Sequence, residues 1–289
     1  MTIFRRHRGP IRTTHGIRSL PPRIKACAAM LFVAAGVFGP AAQHAARAAD
    51  TIVDLSHAYG PDTIYWPTAE KGFEHTELAY GETPGGYFYS AYALATAEHG
   101  GTHMDAPIHF FAERRTVDQI PVGDMVLPVR VIDVSARAAA EPAYRLTVAD
   151  ITAFEAAHGP VPAGSAVLMR TDWSKRWPDT KAYMGDDTPG DASNLIFPGF
   201  GAEAARLLVA RGVKMIGVDT ASIDHGPSTD FMVHRVVADA NIPALENLTN
   251  LADLPPTGAT LIALPMKITG GSGGPARVIA LVPEQDGRD

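Results

Sequence analysis

The chain has 289 residues, 46% of them hydrophobic and 19% charged, with 27 Gly, 23 Pro and one Cys. A disordered chain carries more charge and less apolar surface, a disulfide scaffold needs paired cysteines, and a polytopic membrane protein needs several apolar runs of about 20 residues, so all three classes are excluded. The length suits a domain with a sizeable buried core.

The formal charge of −6 hides an asymmetry. Residues 1–49 hold eight Lys and Arg and no Asp or Glu. Within them a 12-residue apolar run, Ala26 to Val37, gives way to small residues ending in Ala46-Arg47-Ala48 and Ala49. A basic start, a short apolar run and an A-x-A site form the pattern of a secretory signal peptide. The expectation is cleavage after Ala48 or Ala49, export to the periplasm or beyond, and no stable membrane insertion afterwards. Arg5-Arg6 also hints at the twin-arginine route. Taking the eight basic residues from 25 leaves 17 against 31 acidic ones, a formal charge of −14 for residues 50–289. Nucleic acid is a poor partner for so acidic a protein. Cys27 leaves with the signal, which excludes thiolate nucleophiles and thiolate metal ligands.

Residues 50–289 carry no repeat and no Ser-rich or charged linker, and they read as a single domain. Thr51 to Ser56 alternates and predicts a strand. The aromatic stretch Tyr87 to Ala95 and the run Pro128 to Val134 predict two more. Thr147 to His158 predicts a helix, with Thr147 as cap, Asp150 three residues on, and Gly159 as the stop. Ser165 to Arg170 reads as a short buried strand. Ala202 to Arg211 reads as a helix closed by Gly212, and Val213 to Val218 follows as a strand. Thr260 to Leu264 and Arg277 to Val282 read as late strands around a flexible Gly270 to Gly274 loop. Strands outnumber helices, and helices connect strands. The class is α/β, with a mostly β core and a few covering helices.

The densest chemistry lies at Glu98-His99-Gly100-Gly101-Thr102-His103-Met104-Asp105-Ala106-Pro107-Ile108-His109-Phe110. Two glycines and a proline argue against a helix here. In an extended chain His99, His103, Asp105 and His109 project to one side. Imidazoles and a carboxylate converging in this way can hold a divalent metal. Scattered histidines in a polar loop are the alternative, and four convergent groups flanked by Gly and Pro fit it poorly. The spacing does not name the metal. Nitrogen and carboxylate donors without thiolate suit zinc, with manganese as the second choice.

Other chemistries fare worse. Ser56, Ser90 and Ser222 lie in no G-x-S-x-G context. The Gly270–Gly274 loop lacks the lysine of a phosphate loop. Asp219, Asp224 and His225 follow a strand, as ligands or as partners to ligands. His57, His75 and His158 read as surface residues.

The segment His-Gly-Gly-Thr-His-Met-Asp-Ala-Pro-Ile-His-Phe resembles the signature of the metal-dependent cyclase-like hydrolases, which include bacterial kynurenine formamidases (arylformamidases) and isatin hydrolases. Asp54-Leu55-Ser56, Tyr65-Trp66-Pro67, Gly217-Val218-Asp219-Thr220, Asp224, His234, Glu246-Asn247-Leu248 and Ile262-Ala263-Leu264-Pro265 extend the resemblance along residues 50–289. It implies a compact β/β/α cyclase-like domain that assembles as a homodimer or homotetramer. It implies that His99, His103 and Asp105 hold a first ion, that Asp105 bridges to a second, and that His234 and Glu246 complete a site for one or two ions per subunit. It implies His109 as catalytic acid/base and Trp66 as a substrate contact.

The activity so implied is hydrolysis of a C–N amide bond in a small aromatic amide, isatin-type or N-formyl-kynurenine-type. The export signal weakens the kynurenine assignment, the extra residues at Ala69 to Gly86 and Trp173 to Gly199 and the Pro265 to Gly274 stretch resemble the isatin hydrolases more, and both substrates stay open. A metal-dependent lactonase and a periplasmic binding protein for a metal or small molecule are the alternatives. Turnover separates the second of these, and preference for an ester separates the first.

Overall fold

A computed structural model of the chain describes residues 50–284; the expected signal segment lies outside the described residues. In chain order the strands are β1 (Thr51–Asp54), β2 (Glu74–Glu82), β3 (Phe88–Ala95), β4 (His103–Asp105), β5 (Val126–Asp133), β6 (Arg145–Leu146), β7 (Ala166–Arg170), β8 (Gly199–Phe200), β9 (Met215–Val218), β10 (Ala244–Glu246), β11 (Thr260–Pro265) and β12 (Gly273–Val282). The helices are α1 (Ser135–Ala140), α2 (Val148–His158), α3 (Thr180–Met184), α4 (Ala202–Arg211) and α5 (Met232–Asp239).

Seven strands close into a barrel in the order β12-β11-β5-β7-β9-β10-β4. Closure comes from β4, which pairs antiparallel with β10 on one side and with β12 on the other. The pairs β5–β7, β7–β9 and β9–β10 are parallel, and β1 pairs with the far half of β12. Alternation sorts the core into two layers. On β7, Ala166 and Leu168 join Met104, Leu127, Met215, Leu245 and Val278 inside the barrel. Val167 and Met169 face the other way, onto Ile151 and Phe154 of α2 and Leu208 of α4. Each fully buried side chain of this size contributes about 1.5–3 kcal/mol, so the layers hold the barrel shut without any disulfide.

The two expected helices form with the caps read for them. Thr147 accepts from the Asp150 N–H, and Asp150 accepts from the Thr147 N–H and hydroxyl. Gly212 ends α4 at φ 76°. Three expectations need correction. The Gly270–Gly274 stretch is not a flexible turn throughout, because Gly273 and Gly274 belong to β12 and pair with Asp105 and Met104. His57 is not a simple surface residue: its ring stacks on Trp177 at 4.2 Å. Alternation does not place His109, since a 3-10 turn over Pro107–His109 carries it back toward the barrel mouth.

The strand expected at Tyr87–Ala95 pairs with β2 in a two-stranded ribbon exposed on both faces. Leu78, Tyr80, Phe88 and Leu94 all lie more than half exposed on it.

Candidate metal centre

The closing strand brings the site together. In the β4–β10 pairing Glu246 lies opposite His103, and Ala244 opposite Asp105. The α5 helix then lays His234 against both carboxylates. His234 Nε2 is 3.1 Å from Asp105 Oδ2 and 3.1 Å from Glu246 Oε1. His103 Nε2 is 3.2 Å from Asp105 Oδ1 and 3.4 Å from Glu246 Oε2. His99 Nδ1 is 2.6 Å from Asp105 Oδ1. Two groups able to hold an ion result, His99–His103–Asp105 and Asp105–His234–Glu246, joined through the two oxygens of Asp105. All five residues expected as ligands therefore meet in one place.

Each imidazole is fixed by its second nitrogen. His103 Nδ1 donates to the Gly101 carbonyl at 2.9 Å, which leaves Nε2 as the free donor atom. His234 Nδ1 donates to Asp224 at 2.7 Å, again freeing Nε2. The Ser272 hydroxyl donates to Glu98 at 2.6 Å, so its oxygen accepts from His99 Nε2 at 2.9 Å and Nδ1 is freed. Such outer partners set the tautomer and aim the ring at a metal. His103 Nε2 is buried and turned to the two carboxylates, 3.2 Å from Asp105 and 3.4 Å from Glu246, where a ligand atom belongs. Three imidazoles, two carboxylates and no thiolate fit a divalent metal ion.

Electrostatics agree. Burial pushes the His103 ring toward neutrality, yet the hydrogen bond and charge of Asp105 and the charge of Glu246 outweigh it and hold the ring at about 9. Burial opposes ionisation of Asp105 too, but the His99 charge and the bonds from His103 and His234 hold it well below the usual carboxylate range. The site's carboxylates demand positive charge in a space that no lysine or arginine lines among the described residues.

The mouth opens into a cavity of about 270 Å³. Trp66, Phe110 and Phe231 form its aromatic wall, with Phe231 6.2 Å from Trp66 and 5.2 Å from Phe110. His109 stacks on His99 at 3.7 Å and also lines the cavity. Burial lowers its pKa to about 4, so the ring is neutral at pH 7. Tyr65 lines the same space.

The structure separates the three polar candidates that follow β9 and adds contributors the sequence reading did not single out. Asp224 was one of three candidates; it holds His234 and also accepts the Val233 and His234 N–H groups at the start of α5. Asp219 instead accepts from Thr171, away from the ligands, and His225 does not join them. Ser272 and Glu98 were not singled out, and no local pattern marks a contact 173 residues from His99. Gly273 is required beside them: a Cβ there would sit 2.6 Å from the His99 ring and 2.6 Å from the Met104 carbonyl. Phe231 has φ 49°, a rare conformation for a bulky residue, and the resulting turn directs its ring to the cavity.

Comparison with known proteins agrees with this geometry. The family model named Cyclase matches residues 53–225. The chain belongs to the cyclase family. Isatin hydrolase of Roseibium aggregatum is 38% identical over 208 residues, covering 69% of this cyclase-family chain and 77% of that protein. Kynurenine formamidase of Salinibacter ruber is 28% identical over 241 residues, covering 79% and 96%. Among solved structures, isatin hydrolase A from Labrenzia aggregata, bound to benzyl benzoate, superposes with a TM-score of 0.74 at 35% identity, covering 81% of this chain and 94% of that one. An isatin hydrolase bound to the product analogue thioisatinate gives 0.73 at 33% identity, covering 81% and 92%.

Proposed function

We propose that this chain is a metal-dependent hydrolase that opens the C–N bond of an uncharged aromatic cyclic amide of the isatin type. The observation that carries the reading is the convergence of three imidazoles, each with its second nitrogen committed elsewhere, on two buried carboxylates beneath an aromatic cavity. The isatin hydrolase and kynurenine formamidase relatives support the amide class.

His99, His103, Asp105, His234 and Glu246 would hold one or two ions. A divalent ion bound there would polarise the amide carbonyl and acidify a water. The remaining work falls to the chain. Trp66, Phe110 and Phe231 clasp the flat ring system and exclude bulk water. His109, neutral at pH 7, takes a proton from the attacking water and returns it to the leaving nitrogen. Water is thus added across the C–N bond: oxygen to the carbonyl carbon, hydrogen to the nitrogen.

The cavity wall favours isatin over N-formyl-kynurenine. The latter carries an ammonium and a carboxylate, and among the described residues no lysine or arginine lines the cavity to meet the carboxylate. The test is turnover of both substrates, and of a matched aromatic lactone, by the Mn- or Zn-loaded chain. A kcat/KM at least tenfold higher for isatin is expected. A preference for N-formyl-kynurenine would reverse the substrate assignment, a preference for the lactone would make the chain an ester hydrolase, and bound ligand without turnover would make it a binding protein.

The ribbon β2–β3 supports a homodimer or homotetramer, because its apolar side chains find no cover among the described residues and an isolated hairpin is marginal in water. The basic and apolar character of residues 1–49 supports export to the periplasm or the medium.

A further inference from the structure

The helix α3 lies far from the candidate ligands in sequence, yet one of its side chains is bonded to the residue that follows Glu246. Tyr183 is fully buried. Trp173 Nε1 donates to its carbonyl at 2.6 Å, and the Trp177 ring packs edge-on against its ring at 5.4 Å. Its hydroxyl is 2.9 Å from Asn247 Oδ1. Asn247 follows the ligand Glu246 at φ 54°, a left-handed turn that Asn tolerates. That turn sends the amide back to the Gly101 carbonyl, 2.8 Å from Nδ2.

The direction of each bond follows from chemistry. A carbonyl only accepts, so the amide presents its NH2 to Gly101 and its oxygen to Tyr183, which must donate. The Gly101 carbonyl then accepts twice, from Asn247 Nδ2 and from His103 Nδ1. Both lone pairs are used, and the carbonyl cannot swing away from the histidine. Gly101 itself has φ 57°, and a Cβ there would sit 2.7 Å from the Tyr59 ring. The peptide is held from both sides, and His103 Nε2 is left aimed at Asp105 and Glu246.

We infer that Tyr183 and Asn247 are positioning residues for the metal centre: the Tyr183 hydroxyl fixes the Asn247 amide, which fixes the Gly101 carbonyl, which fixes the His103 ring. The segment around α3 is thereby a buttress of the metal site as well as a wall of the fold. The inference rests on the proposed metal site.

The test is a competition titration of the metal-free full-length chain with Zn²⁺ against a chromophoric chelator, alongside unfolding curves. Tyr183→Phe removes one hydroxyl and keeps the ring, and Asn247→Gly keeps the backbone turn and removes the amide. Each variant is expected to bind Zn²⁺ about tenfold more weakly or worse, the usual effect of losing an outer partner of a ligand. A residue that served packing alone would lower the unfolding midpoint and leave the affinity of the folded chain unchanged; that result in both variants overturns the inference. If Tyr183→Phe fails to fold, Asn247→Gly decides alone. A parent chain that takes up no Zn²⁺ overturns the metal-site reading itself, and the inference with it.

Discussion

His109 stacks on His99 at 3.7 Å, and it belongs to neither ligand group. The task we propose for it is proton transfer, so His109→Ala should bind metal as the parent does and lose about 10²- to 10⁴-fold in kcat. Metal content and single-turnover rates check this; a parallel loss of metal would make His109 a ligand. Asp219 gives a second residue-scale outcome, in stability. Burial raises its pKa to about 6, against the bonds it accepts from Thr171. The folded chain therefore holds a proton between about pH 4 and 6 that the unfolded chain has lost, and stability falls as pH rises through that window. Asp219→Asn keeps an acceptor for Thr171 without the charge. In chelator it should be more stable than the parent at pH 8, by up to roughly 2–3 kcal/mol at 1.36 kcal/mol per pKa unit, and equal to it near pH 4. Urea unfolding at the two pH values measures this, and a difference independent of pH would contradict it. At this scale the sequence was most informative where chemistry is local, from His99 to His109. Asp224 and Ser272 act through contacts 10 and 173 residues away from their histidines, where no spacing rule reaches.

At the scale of elements, legibility followed length and capping. The helices α2 and α4 carry cap residues and a stop glycine, and both form where expected. The strands β6, β8 and β10 have two or three residues each, too short for periodicity to register. One of them, β10, carries Glu246, which is why that candidate ligand was reachable only through family resemblance. The strand β2 alternates no apolar face, because both sides of the ribbon are exposed. That exposure leads to an expectation for the element. Replacing Leu78, Tyr80 and Phe88 together by Ser should convert an oligomer to monomer in sedimentation while the barrel's circular dichroism persists. A parent chain that sediments as a monomer at micromolar concentration would contradict the role given to the ribbon.

For the whole molecule, barrel closure and the site are one event. The strand β4 joins β12 to β10 and carries His103 and Asp105 into the seam. The mostly β core with covering helices was legible from the count and kind of elements; closure was not, since it depends on pairings between residues more than 130 apart. An ion held by groups from β4, β10 and α5 would therefore tie the seam together as well as supply chemistry. The most direct test of the central claim follows the ring opening of isatin by absorbance, using full-length chain stripped of metal and then reloaded with Zn²⁺ or Mn²⁺ at measured stoichiometry. The account predicts no turnover in the stripped chain and recovery in proportion to one or two bound ions per subunit. Equal turnover before and after stripping, with metal shown to be absent, would contradict it.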